Sequence, residues 1–314
     1  MTPLISHSLV MLVGVLLAWL GGELLVRGTV GVARWAGWPA SIVGATIAAF
    51  GTSSPELMVG IQSALAGTPQ ISLGDVLGSN IANVSLVLAL PLLMYRMTPE
   101  RASVRRDFTA ALAVPLLIAI VAWDGKLARA EGWLLLVAFA VWLTVLVLHA
   151  RKNRITRTEP GPPSPARPLL LTLGGLVLLI ISAKAVVSGG VGVAHALGWS
   201  TFIVGAVVVA LATSTPELAT TIVSIARGHH DVGVGTIIGS NIFNGWLIAG
   251  IVMVISPFTI SFAEILPSLV LGVLTILAIW PGKNGDIGRP RGVLLLSLYA
   301  VYLAWSLAQA QDAG

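Results

Sequence analysis

The chain has 314 residues, of which 56% are apolar and only 10% charged, and its mean hydropathy is +0.93. A soluble domain carries about 25% charged residues, and a folded chain this size could not hide so much apolar surface from water, so its solvent is lipid. Without cysteine there is no disulfide scaffold, thiolate metal site or cysteine nucleophile, and the net charge of +5 has to be judged by where the basic residues fall.

A hydrocarbon core of about 30 Å needs about 20 apolar residues per helix. Ten such windows follow one another: 8–30, 39–66, 71–95, 108–123, 131–149, 168–189, 200–226, 232–255, 263–280 and 292–308. Barrel strands would need short alternating segments, and none occur, so all ten read as helices. No basic residue precedes the first window and no small-x-small cleavage site follows it, so it is expected to stay in the mature fold.

The basic residues predict orientation. Arg96, Arg101, Arg105 and Arg106 follow the third window, and Arg151, Lys152, Arg154, Arg157 and Arg167 follow the fifth. Arg227 follows the seventh, Lys283, Arg289 and Arg291 follow the ninth, and Arg27 and Arg34 flank the first turn. These loops share one side; only Lys126 and Arg129 lie opposite, offset by Asp124 and Glu131. A multi-pass protein of the plasma (inner) membrane is expected, with both termini external. The positive charge is then topogenic, and nucleic acid is not an expected partner.

An internal repeat is visible by eye. GWPASIVGATIAAFGTSSPEL from Gly37 aligns without a gap on GWSTFIVGAVVVALATSTPEL from Gly198, an offset of 161 residues (198 minus 37). The same offset carries Gly78-Ser79-Asn80-Ile81-Ala82-Asn83 onto Gly239-Ser240-Asn241-Ile242-Phe243-Asn244. Each half holds five windows, and an odd number obliges the second half to enter the membrane from the opposite side. The predicted fold is an all-α membrane protein of ten transmembrane helices in two inverted-topology five-helix repeats, an arrangement many secondary transporters use. The repeats span 1–150 and 169–314, with their motifs at 51–83 and 212–244. The segment RKNRITRTEPGPPSPARP, 151–168, is rich in proline and charge and reads as a cytoplasmic tether.

Acidic groups inside a bilayer are costly and mark function by default. Two lie deep within windows, Glu56 and Glu217, related by the repeat. Each closes a T-S-x-P-E motif, Thr52-Ser53-Ser54-Pro55-Glu56 and Thr213-Ser214-Thr215-Pro216-Glu217. Proline lacks an N–H and so leaves the carbonyl four residues earlier, at Gly51 and Ala212, without its helical donor. Thr and Glu four apart share a helix face, as do Ser79 with Asn83 and Ser240 with Asn244. Gly78 and Gly239 permit close helix approach. The donors are all oxygen, which suits hard cations; Ca²⁺ takes 6–8 oxygens at about 2.3–2.6 Å. Two glutamates balance one divalent ion, and once it leaves, monovalent cations or protons should replace it.

The pairs GTSSPE with GSNIAN and ATSTPE with GSNIFN closely resemble the α-repeats of the calcium/cation antiporter superfamily, in its compact prokaryotic sodium/calcium exchanger form. The resemblance covers all ten windows. It implies that Glu56 and Glu217 are the central Ca²⁺ ligands, with backbone carbonyls from Thr52 and Thr213. It assigns Ser53, Ser79, Ser214 and Ser240, with the carbonyls of Ala49 and Ala210, to flanking Na⁺ sites, and Asn83 and Asn244 to closing the centre. The first and sixth spans would slide against the other eight as a gate. Three departures stand out. Asn244 occupies a position where potassium-dependent relatives carry Asp, Ala212 replaces the usual Gly, and Asp75 and Thr236 stand where relatives often have Asn. Asp75 reads either as a helix-end cap or as an extra acidic group near the external mouth.

Glu23 and Lys184 occupy equivalent positions and read as structural, Glu23 pairing with Arg27 and Lys184 snorkelling. His229-His230-Asp231 reads as a solvated turn, and the ten tryptophans mostly as interfacial anchors. The expected function is a monomeric antiporter that extrudes Ca²⁺ in exchange for Na⁺ by alternating access, with membrane lipid and the transported ions as its partners and no permanent cofactor. A Ca²⁺/H⁺ exchanger is the alternative, and a cation channel stands further off. An enzyme is not expected, because no His, Cys or Lys lies near the glutamates to build a nucleophile–base pair.

Overall fold

The computed structural model describes residues 3–38, 40–65, 67, 69–152, 164–196, 210–282 and 285–312. Helix α1 (Pro3–Ala36) leads to α2 (Ala40–Val43), a π-helical turn (Gly44–Ala48), α3 (Ala49–Thr52) and α4 (Ser54–Leu65). Helix α5 (Pro69–Ala82) runs through a π turn (Asn83–Leu88) into α6 (Ala89–Leu92). Next come α7 (Arg101–Ser103), a π turn (Val104–Phe108), α8 (Thr109–Val121), strand β1 (Lys126–Leu127) and α9 (Arg129–Lys152). The second half continues with α10 (Ala166–Ala196), α11 (Ala210–Thr213), α12 (Thr215–Ala226) and α13 (His230–Ile242). A further π turn (Phe243–Ile248), α14 (Ala249–Ile255), β2 (Phe258–Thr259), α15 (Phe262–Ala278) and α16 (Arg289–Asp312) complete it.

Each of the ten apolar windows is occupied by helix. Residues 200–209 of the seventh window and 153–163 of the tether lie outside the described residues. The helix of the fourth window begins at Arg101, not at 108, because Asp107 is buried and paired rather than left in a polar loop. Among the described residues, four stretches are long and apolar enough to cross a membrane: Ile5–Ala36, Ser72–Leu92, Arg129–Lys152 and His230–Ile255. The outer surface is inverted relative to a water-soluble protein. Trp123 is 75% exposed, Ile120 and Leu170 70%, and Leu16 63%, while Thr, Ser, Asn and Glu side chains fill the middle. Such a surface is stable only in lipid.

Helix α1 has 34 residues and α10 has 31, each longer than the roughly 20 that a bilayer needs, so both must tilt or project. They pack on each other, and α1 also lies against α12. Small residues make the first contact possible: a Cβ on Gly28 would sit 2.4 Å from the backbone nitrogen of Thr172, and one on Gly175 2.5 Å from that of Leu25. Backbones this close exclude any side chain, the kind of approach small residues give membrane helices. The hydroxyl of Ser182 donates to the Gly14 carbonyl (2.8 Å) across the same seam.

Two loop contacts mark the ends of the bundle. Strands β1 and β2 pair antiparallel, Lys126 opposite Thr259 and Leu127 opposite Phe258. Met97 and Ile287 exchange backbone hydrogen bonds of 3.0 and 2.8 Å. Helix α8 separates Met97 from β1, and α15 separates β2 from Ile287, so these contacts sit at opposite ends. Each joins two loops that the alternation of windows puts on one side.

Candidate ion-binding site

Proline sets the local geometry. Pro55 and Pro216 fall in the first turn of α4 and α12, where a missing N–H has no helical partner to lose. The helix breaks just before, at Ser53 (φ −84°, ψ 11°) and Ser214 (φ −79°, ψ 2°). Glu56 and Glu217 therefore stand in the first turn of a new helix, where the dipole favours negative charge. The two breaks have matching lengths on either side: α3 and α11 are 4 residues each, α4 and α12 are 12.

All twelve residues singled out by sequence are buried. Thr52, Ser53, Glu56, Ser79, Asn83, Glu217, Ser240 and Asn244 have no exposed surface, and Ala49, Thr213, Ser214 and Ala210 are at 1, 1, 2 and 4%. They do not all touch. One cluster is closed: the hydroxyls of Ser53 and Ser240 both donate to Glu217 Oε1 (3.0 and 3.2 Å), and Thr52 lies 3.4 Å from Ser240. Its repeat counterpart, Ser214, Glu56 and Ser79, is open. Among the described residues, neither oxygen of Glu56 nor the hydroxyl of Ser214 has a hydrogen-bond partner. Ser79 turns away from Glu56 and points its hydroxyl at Asp75 Oδ1 (3.4 Å), and the Thr213 hydroxyl oxygen lies 3.5 Å from the same atom.

The carbonyls of Ala49 and Ala210 are engaged. Each accepts a backbone N–H, from Ser53 at 3.0 Å and Ser214 at 3.1 Å. Each also takes a threonine hydroxyl, from Thr52 at 3.3 Å and Thr213 at 3.2 Å. Asn83 opens the second π turn and donates to Asn241 Oδ1 (3.1 Å), while Asn244, inside the last π turn, has no partner for either amide atom among the described residues. Turns of this type widen the helix and recur at functional sites.

One feature the motifs did not announce is a direct bond between the repeats. The Asn80 side chain donates to the Asn241 carbonyl (3.0 Å) and the Asn241 side chain donates to the Asn80 carbonyl (3.0 Å). Residues one repeat apart thus exchange identical bonds, as a twofold axis between them would generate. The repeated G-S-N holds both asparagines, but identical motifs do not say that they face each other. Asn80→Ala should lower stability by about 0.5–1.5 kcal/mol by removing one buried hydrogen bond between the repeats; thermal unfolding in detergent checks this, and an unchanged midpoint refutes the lock. Asp75, noted in the sequence, is placed inside a helix. It is 9% exposed and seven residues into α5, so the helix-end cap reading is wrong. A cap needs an unpaired terminal N–H within reach, and at that depth the helix has none.

Residues 6–148 and 167–308 match the family described as sodium/calcium exchanger protein. The chain belongs to that family. This exchanger is 33% identical over 309 residues to CaxA of Alkalimonas amylolytica, covering 94% of this chain and 97% of that one. It is 25% identical to the sodium/calcium exchanger MaX1 of Methanosarcina acetivorans, over 95% and 97% of the two chains. The solved sodium-calcium exchanger NCX_Mj superposes with a TM-score of 0.81 at 28% identity, over 96% of this chain and 98% of that one. The protein is therefore a helical membrane antiporter with the NCX_Mj fold, and its family is one of transporters.

The polar residues outside the centre also find places in the exchanger. Glu23 pairs with Arg27, as expected, and additionally with Arg227, whose Nε donates to Oε2 (2.7 Å), tying α1 to the end of α12. Lys184 is exposed, in keeping with snorkelling. His229 is half-buried rather than solvated, and burial, with Arg34 and Arg227 alongside, holds its imidazole below the usual range. It lines a cavity of about 560 Å³ with Arg27, Arg34, Arg167 and Arg227.

Proposed function

We propose that this exchanger extrudes Ca²⁺ across the plasma membrane in exchange for Na⁺ by alternating access. The carrying observation is the pair of fully buried glutamates one repeat apart: both Glu56 oxygens and Glu217 Oε2 lack a partner among the described residues. Carboxylates kept out of water cost several kcal/mol each unless paired, so this arrangement favours a state in which a cation sits between them. In this reading Ca²⁺ takes one oxygen or more from each glutamate and the carbonyls of Thr52 and Thr213. Asn83 and Asn244 supply neutral oxygens beside it. The serine pairs Ser53 with Ser240 and Ser79 with Ser214, joined by the Ala49 and Ala210 carbonyls, hold Na⁺. Those carbonyls would exchange their threonine hydroxyls for the ion.

Exchange follows from electrostatics. With the divalent ion gone, two bare carboxylates in low dielectric disfavour passage through an occluded state, so the site moves only when reloaded. The moving part is the α1–α10 pair, whose glycine seam lets it travel as one body against the rest. Ten spans in two inverted five-helix repeats, with both termini external and 151–168 cytoplasmic, complete the proposal; the loop contacts at the two ends support the alternation of the windows, and the basic loops support the sidedness.

Everted vesicles or proteoliposomes loaded with Na⁺ test the reading. Uptake of ⁴⁵Ca²⁺ driven by an outward Na⁺ gradient is expected. Uptake driven by a pH gradient without Na⁺ would replace Na⁺ by H⁺ as the coupling ion, and single-channel currents would overturn exchange altogether.

A further inference from the structure

The two halves of the centre differ in one charge. Position 75 is Asp, and its repeat counterpart, Thr236, spends its hydroxyl on the Val232 carbonyl one turn back (2.8 Å). Around Glu217 the local serines close on the glutamate itself. Around Glu56 the corresponding Ser79 points to Asp75 at 3.4 Å, and the Thr213 hydroxyl, which donates to the Ala210 carbonyl at 3.2 Å, stands 3.5 Å from the same carboxyl. Both contacts are longer than the roughly 2.5–3.0 Å of an O–H···O bond, so neither hydroxyl satisfies the buried Asp75 carboxyl. Beside them stand the Glu56 carboxylate and the Ser214 hydroxyl, buried and without partners among the described residues.

We infer that Asp75 is a cation ligand: with Ser79 and Thr213 it builds an anionic subsite for a monovalent cation next to the Glu56–Glu217 centre. The inference rests on the proposed function. It adds a third carboxylate to a site whose counterpart across the repeat has none. Among the described residues no three His, Asp or Glu side chains lie close enough to chelate one ion, so Asp75 serves a neighbouring subsite and not the central one. Charge counting then changes the transported load. Two glutamates are balanced by one Ca²⁺ alone; three carboxylates are balanced by Ca²⁺ together with one monovalent cation, or by three Na⁺. The Asp75 subsite keeps its Na⁺ when Ca²⁺ occupies the centre, and the neutral Ser53–Ser240 side does not.

Equilibrium binding of ²²Na⁺ and ⁴⁵Ca²⁺ to the purified full-length protein reads this directly. At saturating Ca²⁺ the wild type is expected to retain about one ²²Na⁺ per ⁴⁵Ca²⁺, and Asp75→Asn to retain none and to bind Na⁺ about tenfold more weakly when Ca²⁺ is absent. Ca²⁺ binding by Asp75→Asn shows that it is folded; should it bind none, Ser79→Ala takes its place and is expected to weaken ²²Na⁺ retention. Wild-type protein that retains no ²²Na⁺ with Ca²⁺ bound overturns the inference, as does a folded variant that retains as much as wild type. Failure of the underlying reading looks different: Ca²⁺ binding would then be indifferent to Glu217→Gln.

Discussion

Glu217→Gln is expected to abolish Ca²⁺ transport while leaving the protein folded. The amide oxygen of glutamine can still accept the hydroxyls that Ser53 and Ser240 now give to Glu217 Oε1, so the packing of α3, α12 and α13 is kept. What disappears is one of the two negative charges facing a divalent ion at about 2.3–2.6 Å. A net loss of about 4 kcal/mol, modest for a charge contact in a water-poor site, corresponds to about a thousandfold in affinity. ⁴⁵Ca²⁺ uptake in proteoliposomes is the measurement, and uptake within twofold of wild type would refute the site. Glu56→Gln should also abolish transport, but with a different stability signature. Neither oxygen of Glu56 meets a donor among the described residues. Where neither a cation nor a proton occupies the site, neutralising Glu56 removes an uncompensated buried charge, so in cation-free alkaline buffer its unfolding midpoint should rise while transport is lost, a trade-off common at functional sites. A fall in that midpoint would contradict the account of Glu56.

The largest effect on stability is expected at Asp107, away from the ions. Arg106 grips it with two bonds of 2.7 Å, Ser103 donates at 2.8 Å and the Trp142 indole N–H at 3.2 Å. The pair is enclosed, with 1% of the Asp107 side chain and 10% of the Arg106 side chain exposed. Removing one partner of such a pair strands the other's charge, at a cost of about 3–5 kcal/mol. Asp107→Ala should therefore unfold at markedly lower temperature in detergent, with loss of the Trp142 environment in fluorescence. The double variant Arg106→Met with Asp107→Leu should recover much of the difference, because no charge is left unpaired. If Asp107→Ala melts with the wild type, the network carries no stability.

Much of this was readable from residues in order. The described parts of the apolar windows are mostly helix, broken at Ser53 and Ser214, because bilayer thickness sets their length and hydrocarbon forbids unpaired backbone. Thr-Ser-x-Pro-Glu announced a helix break beside a carboxylate, and the breaks at Ser53 and Ser214 lie one residue ahead of the Ser-Pro and Thr-Pro steps. The glycine of G-S-N foretold a close approach, and at Gly239 a Cβ would lie 2.6 Å from the Ala45 carbonyl. Its partner Gly78 is looser, with the Tyr302 hydroxyl at 3.2 Å, an asymmetry that equal motifs gave no reason to expect.

Composition, hydrophobic spacing and the duplicated motif determined by themselves that this is a helical membrane protein with two carboxylates set one repeat apart. Each of those properties depends on local chain chemistry or on its copying. Only the tertiary structure decided which buried groups meet. Ser79 goes to Asp75 and not to Glu56, Asn80 trades bonds with Asn241, and Arg227 reaches Glu23 across 204 positions of chain. The physical reason is that a hydroxyl or amide in oil must take whatever acceptor the neighbouring helices bring within about 3 Å, and that choice is made by packing.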